Sequence, residues 1–196
     1  MGVTCKYVFR DNTTCAESVH PGSGLCFWHD PKADKSGPEI KGMIEEKHQR
    51  GEILEGVILD SAQLENVRLS HANLHNARFK WANLKNAHLF GADLTHAILF
   101  KTALQGANLK EAKLAGAELL GATFEETKLP LSGFGGRDGY TVKNETEGNE
   151  HEKRGEIEQA HEKYFEAEEI YRAIKRNLKD SGRVFEAGEY FFKEME

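Results

Sequence analysis

The sequence predicts a β-solenoid: a square coil of about four stacked turns, with a small metal knuckle and a cap helix before it and a pair of helices after it. Three observations carry this. Every fifth residue from Leu54 to Leu129 is Leu or Phe, sixteen positions without a miss. Two residues before each, from Val57 onward, runs a series of small residues, Ala at most positions and Val57, Val67, Thr102 and Thr127 at the others. All three cysteines fall within the first 26 residues, in the arrangement Cys5-x9-Cys15-x10-Cys26-x2-His29.

A period of five matches neither the 3.6 of a helix nor the 2 of a strand. A chain that turns a corner every five residues satisfies it, with one large side chain pointing inward from each side and a small one filling the tight inner corner. Four sides close a coil of twenty residues, and coils stack through backbone hydrogen bonds at about 4.8 Å. Sixteen pentads give four coils, a column roughly 19 Å tall. An Ala/Leu-rich helical bundle is the bland alternative, and helices do not carry a five-residue period.

The purest copies of the unit are Ala72-Asn73-Leu74, Ala82-Asn83-Leu84, Ala92-Asp93-Leu94 and Ala107-Asn108-Leu109. This pattern resembles the pentapeptide-repeat family over residues 52–130. The resemblance implies a right-handed quadrilateral β-helix.

Residues 1–35 read as a zinc-binding knuckle. Three thiolates and one imidazole, Cys5, Cys15, Cys26 and His29, make a tetrahedral set that suits Zn²⁺. Asn12 and Gly22-Ser23-Gly24 supply turns between the ligands. A segment this short builds no core of its own, so metal would provide its folding free energy. His20 is the alternative fourth ligand. Three ordinary thiols beside a stray His are the bland reading. An odd count and a reducing compartment disfavour a disulfide. Four protein ligands leave no open position, so the zinc is expected to be structural rather than catalytic. Cys5-x-Tyr7 and Cys26-x-x-His29-Asp30-Pro31 also resemble a small Cys/Cys/Cys-His module found ahead of some prokaryotic pentapeptide-repeat segments.

An open β-helix end exposes unpaired backbone and core. Residues 36–51 supply a cover: a helix over 38–50, with Ile40, Met43, Ile44 and Lys47 on one face, ended by Gly51. After Leu129-Pro130 the five-residue pattern is expected to stop. Residues 131–148 read as a linker marked by Gly133, Gly135, Gly136, Gly139 and Gly148. Residues 149–196 read as an α-helical hairpin. Its first helix has an apolar face of Ala160, Tyr164, Ala167, Tyr171, Ile174 and Leu178. Asp180-Ser181-Gly182 forms the break, and the second helix carries Phe185, Ala187, Gly188, Phe191, Phe192 and Met195. Tyr171-Arg172-x-Ile174-Lys175, Gly182 and Ala187-Gly188-x-x-Phe191 loosely resemble a tetratricopeptide-like hairpin. One such unit cannot bury its own face, so it must pack on the column, on a second chain or on sequence beyond Glu196.

Residues twenty apart stack on one wall, so outer surfaces can be read directly. The wall built on Leu59, Phe79, Leu99 and Leu119 displays Ile58, Trp81, Ile98, Phe100 and Leu120. An apolar cluster of this kind marks an interface, and the C-terminal hairpin or a second copy of the chain is the expected cover. His75 and His96 lie on one wall in adjacent coils and read as solvated surface groups.

Charge bears on function. The whole chain is at −6, the column holds eight basic and nine acidic residues, and the surplus of acid lies after residue 130. This gives no electropositive footprint for nucleic acid. There is no apolar run of membrane-spanning length and no signal peptide, so the chain is read as cytoplasmic. No nucleophile–base set, phosphate-binding glycine loop or redox pair stands out, so no enzyme is expected. The first functional reading is an interaction scaffold that presents a wall to a protein partner. Some pentapeptide-repeat proteins imitate duplex DNA and bind type II topoisomerases, and the near-neutral column disfavours that reading here. A third reading is a cytosolic regulatory module of a longer membrane protein.

Overall fold

A computed structural model describes residues 3–130, 133–134, 141–183 and 187. The middle of the chain is a four-sided coil. Every parallel bridge joins residues twenty apart, from Ile58–Arg78 through Arg78–Ile98 to Asn108–Lys128. Backbone bonds follow the same step: Leu59 N–H donates to Arg78 O at 2.7 Å, and Arg78 N–H donates back to Val57 O at 2.9 Å. All sixteen large residues of the series, and the whole small row, are buried.

Each side ends in a corner, and the corners set a third periodicity. From Gly51 to Glu126 every fifth residue has a left-handed backbone, with φ from 53° at Lys101 to 72° at Gly121. Asn, His and Gly fill most of these positions, the residues that tolerate this conformation best. The corner residue of one coil also packs on the next: a Cβ at Gly91 would lie 2.6 Å from the His71 ring.

Two threonines in the small row have a structural reason. Thr102 Oγ1 donates to Phe79 O and Thr127 Oγ1 to Leu104 O, each at 2.7 Å. Buried hydroxyls require such partners.

The first coil is lidded by α1, Glu39–Gln49, through buried Ile40 and Ile44. Met43, expected on the same face, is 41% exposed. Ile40, Ile44 and Lys47 lie at i, i+4 and i+7, which centres the inner stripe away from it. The helix also stands in for a missing coil. Glu45 Oε1 accepts from Arg68 N–H at 2.7 Å, and His48 Nε2 donates to Ser70 O at 3.0 Å. Gly51 and Glu52 N–H donate to His48 and Lys47 carbonyls, closing the helix through a left-handed glycine.

The far end corrects the expected domain boundary. The coil runs past Leu129: Leu114 N–H donates to Gly133 O at 2.6 Å, and Phe134 is buried at 1% exposure. Phe134 is five residues after Leu129 and is a seventeenth core position. Two helices follow, α2 (Lys143–Lys153) and α3 (Ile157–Asp180), packed on each other. The expected linker therefore holds most of a helix, and the helix expected from 149 is split at Gly155, whose φ is +74°. Gly148 is not a linker residue. It lies in α2 where a Cβ would meet the Tyr164 ring at 2.6 Å, so it allows the two helices to approach. Ser181-Gly182 ends α3 as expected, with Gly182 at φ +76°. Apart from Ala187, the second helix of the expected hairpin lies outside the described residues.

The hairpin docks on the last coil. Asn177 Nδ2 donates to Phe124 O, and Arg183 Nη1 donates to Leu129 O at 3.0 Å. These described bonds lead to the column's open end, not to the wall of Phe79 and Leu99 that the hairpin was expected to cover. The end is where unpaired coil backbone needs a partner.

Candidate metal centre and exposed wall

Residues 3–30 fold as a short antiparallel ribbon, bridged at Thr4–Ser18 and Val8–Thr14, and the tight turn Cys26–Asp30. The turn is closed by His29 and Asp30 N–H groups, both donating to Cys26 O. These local folds bring Cys5, Cys15, Cys26 and His29 together from three stretches of chain. All four are buried, and their ligand atoms lie within 4.8 Å of one another.

The spacing fits one ion. Zinc–sulfur bonds of about 2.3 Å and zinc–nitrogen bonds of about 2.0–2.1 Å at tetrahedral angles place ligand atoms about 3.6–3.8 Å apart. The observed separations are 3.9 Å for Cys15 and Cys26 Sγ, and 3.5 and 3.2 Å from His29 Nδ1 to Cys5 and Cys26 Sγ. His29 Nε2 lies 3.0 Å from Glu55 O. A carbonyl only accepts, so Nε2 carries the proton and Nδ1 presents its lone pair to the sulfurs. His20, the alternative ligand, turns to Asp30 Oδ2 at 3.0 Å instead.

Burial governs the protonation of these groups. Burial pushes the Cys15 thiol up to about 12 and raises Cys26 as well. Burial also lowers the His29 pKa, keeping the ring neutral as a metal ligand must be. A divalent ion reverses the thiol preference by binding the thiolates.

The sequence pointed to the four clustered Cys and His residues but not to what holds them on the column. Tyr7 stacks on the His29 ring at 4.0 Å with a 7° interplanar angle, and it covers Gly56 at a corner of the first coil. Arg10 N–H donates to Glu55 Oε1 at 2.6 Å, and Arg10 Nη1 reaches Asp93 Oδ2 at 3.2 Å. Trp28 O accepts from Ile58 N–H at 2.8 Å, as a preceding coil would. Tyr7 stands two residues after Cys5, which was the one available signal. A cavity of about 540 Å³ separates the ribbon from α1 and the first coil, lined by Phe9, Cys15, Trp28, Lys47 and Val57 among others.

On the wall read as an interface, Trp81 is 55% exposed, and Ile58, Ile98, Phe100 and Leu120 are half-buried. The structure brings Trp81 and Phe100 together edge to face at 5.8 Å, with Lys101 Nζ 5.2 Å from the Phe100 ring. Ile58 and Ile98 are separated by Arg78, which pairs with Asp60. His75 is held by Thr95, its Nδ1 2.7 Å from Thr95 Oγ1, and packs edge to face on His96. Among the described residues no helix is long and apolar enough to cross a membrane.

A family model of pentapeptide repeats matches eight copies within residues 54–129. Among solved structures, a pentapeptide repeat protein from Nostoc is 31% identical over 45% of this chain and 84% of its own, with a TM-score of 0.39. One from the thylakoid lumen of Arabidopsis thaliana is 29% identical over 49% of this chain and 56% of its own, with a TM-score of 0.28. HetL, a Nostoc pentapeptide repeat protein involved in heterocyst differentiation regulation, is 36% identical over 39% of this chain and 38% of its own, with a TM-score of 0.25. No curated protein matches the chain.

Proposed function

The chain belongs to the pentapeptide-repeat family, and from that premise we propose that it is a non-enzymatic scaffold presenting one wall of its column to a protein partner. Proteins of this family fold as right-handed quadrilateral β-helices and are generally structural or interaction proteins. The observation that carries the proposal is Trp81. A bulky residue in a left-handed corner costs on the order of 1–3 kcal/mol, and Trp81 stands there at φ 57° with over half its surface in water. Asn or Gly would close the same corner at less cost and expose nothing apolar. Trp81, with Phe100 beside it and Ile98 and Leu120 around it, has the anchor character of an interface centre.

The knuckle's role in this reading is to hold a structural Zn²⁺ that fixes residues 1–35 onto the first coil. Three reduced, buried cysteines fit a reducing compartment, in line with a cytoplasmic scaffold. Paired capture from the native cell tests the wall. Trp81→Ala should lose a defined set of partners that wild type and His88→Ala, altered on the opposite wall, both retain. Identical sets from all three proteins, at unchanged light-scattering mass, reject it. A fall in mass for Trp81→Ala alone makes the partner a second copy of the chain.

A further inference from the structure

The geometry points to Lys35 as the counter-cation of the metal centre, a buried ammonium that balances the surplus negative charge of three thiolates around one divalent ion. This rests on the zinc reading above and adds a positioning residue outside the ligand set.

Lys35 is 3% exposed. Its Nζ donates to Asp30 O at 2.8 Å and Ala33 O at 3.3 Å, and lies 5.1 Å from the centre of the Phe27 ring. Among the described residues no carboxylate forms an ion pair with it. The two nearby acids act on it only across space, and each is hydrogen-bonded to other groups. Asp30 is met by His20 Nδ1 at 3.0 Å and by Lys32 N–H at 2.8 Å. Asp60 is met by Arg78 and by Lys80 N–H at 3.0 Å.

Lys47 makes the contrast. It is equally buried beside the same knuckle, yet it sits between the carboxylates of Glu17 and Glu52. Its charge is met by carboxylates in contact, whereas Lys35 has only the more distant Asp30 and Asp60. A buried charge without a counter-charge is unfavourable. A divalent ion with three thiolates and a neutral imidazole carries a net charge of minus one, which supplies what Lys35 lacks.

The position is apt. Asp30, whose carbonyl is the nearer acceptor, ends the same Cys26–Asp30 turn that brings a sulfur and the imidazole to the cluster, its N–H closing that turn on Cys26 O. Lys35 therefore clasps the turn from outside while its charge opposes that of the ligands inside.

The test uses the full chain with Zn²⁺ and Co²⁺ as probes. Lys35→Gln keeps a donor for the two carbonyls and removes the charge; Lys35→Arg keeps the charge. Competition against a chromophoric chelator should show zinc binding about 10–100-fold weaker in Lys35→Gln and within about threefold of wild type in Lys35→Arg. The cobalt–thiolate absorption should keep its shape in every variant that binds, because the ligands are unchanged. Wild-type affinity in Lys35→Gln overturns the inference. So does Lys35→Arg falling as far as Lys35→Gln, since shape rather than charge would then be responsible. Failure of Lys35→Gln to bind at all, with Lys35→Arg binding normally, supports it. A wild-type chain that takes up neither ion instead removes the zinc reading itself, a result reached before any variant is compared.

Discussion

In the column, sixteen inward side chains share the burial, whereas the knuckle gathers four buried Cys and His side chains at one point. The column's information is repeated every five residues, so each coil confirms the register of the next. The knuckle's information is spread over 25 residues without repetition, and it becomes an arrangement only when three stretches of chain meet. Redundant order propagates its failures, whereas concentrated order contains them. That difference sets what damage to each region should do.

The largest effect should come from a charge inside the column. Leu94 is 0% exposed, and its coil is bonded to those before and after it. Leu94→Lys buries an unpaired ammonium and should cost more than about 4 kcal/mol, collapsing neighbouring coils with it. A far-ultraviolet circular dichroism melt with an unchanged midpoint would show that the coils do not depend on each other. Removing the proposed zinc should act in the opposite style. Chelation, or Cys26→Ser, should free the amides of residues 3–35 to hydrogen exchange while the amides of 62–129 stay protected. Loss of protection along the whole column would erase the contrast between the two regions. Elemental analysis of the untreated chain should first find one zinc per molecule.

A smaller, more local effect is expected at the hairpin. Gly148→Ala places a methyl group 2.6 Å from Tyr164, inside ordinary contact distance, and should destabilise the α2–α3 pair by about 1–3 kcal/mol. The check is hydrogen exchange in α3 against the column's. Equal protection in variant and wild type would mean the helices can part at no cost.

The same contrast explains what the sequence made legible. Position within the coil was readable because period and side-chain size agreed at every step, and the four residues of the Cys/His cluster stood out by type and spacing. Phe134 was missed although the period reaches it, because Pro130 and the glycines around it mimic a linker. Gly148 and Gly155 were indistinguishable by composition, yet one allows helices to approach and the other ends a helix. The row of left-handed corners was not read from the sequence, because Ser61, Trp81, Lys101, Glu111 and Glu126 interrupt its Asn, His and Gly. The docking of the knuckle was hardly readable, Tyr7 near Cys5 being its one signal. Tyr7 on Gly56 and His29 on the Glu55 carbonyl join residues tens of positions apart, through a ring face and a backbone oxygen that no local pattern encodes.

The twenty-residue turn also makes the column a protractor. A single added or deleted pentad would swing everything beyond it by a quarter of a revolution, carrying α2 and α3 to a new compass bearing relative to the knuckle. Only a whole lap restores the original heading. Lineages that lengthen such a chain in fives would thus rotate their terminal helices among four azimuths while keeping a large apolar side chain at every inward position.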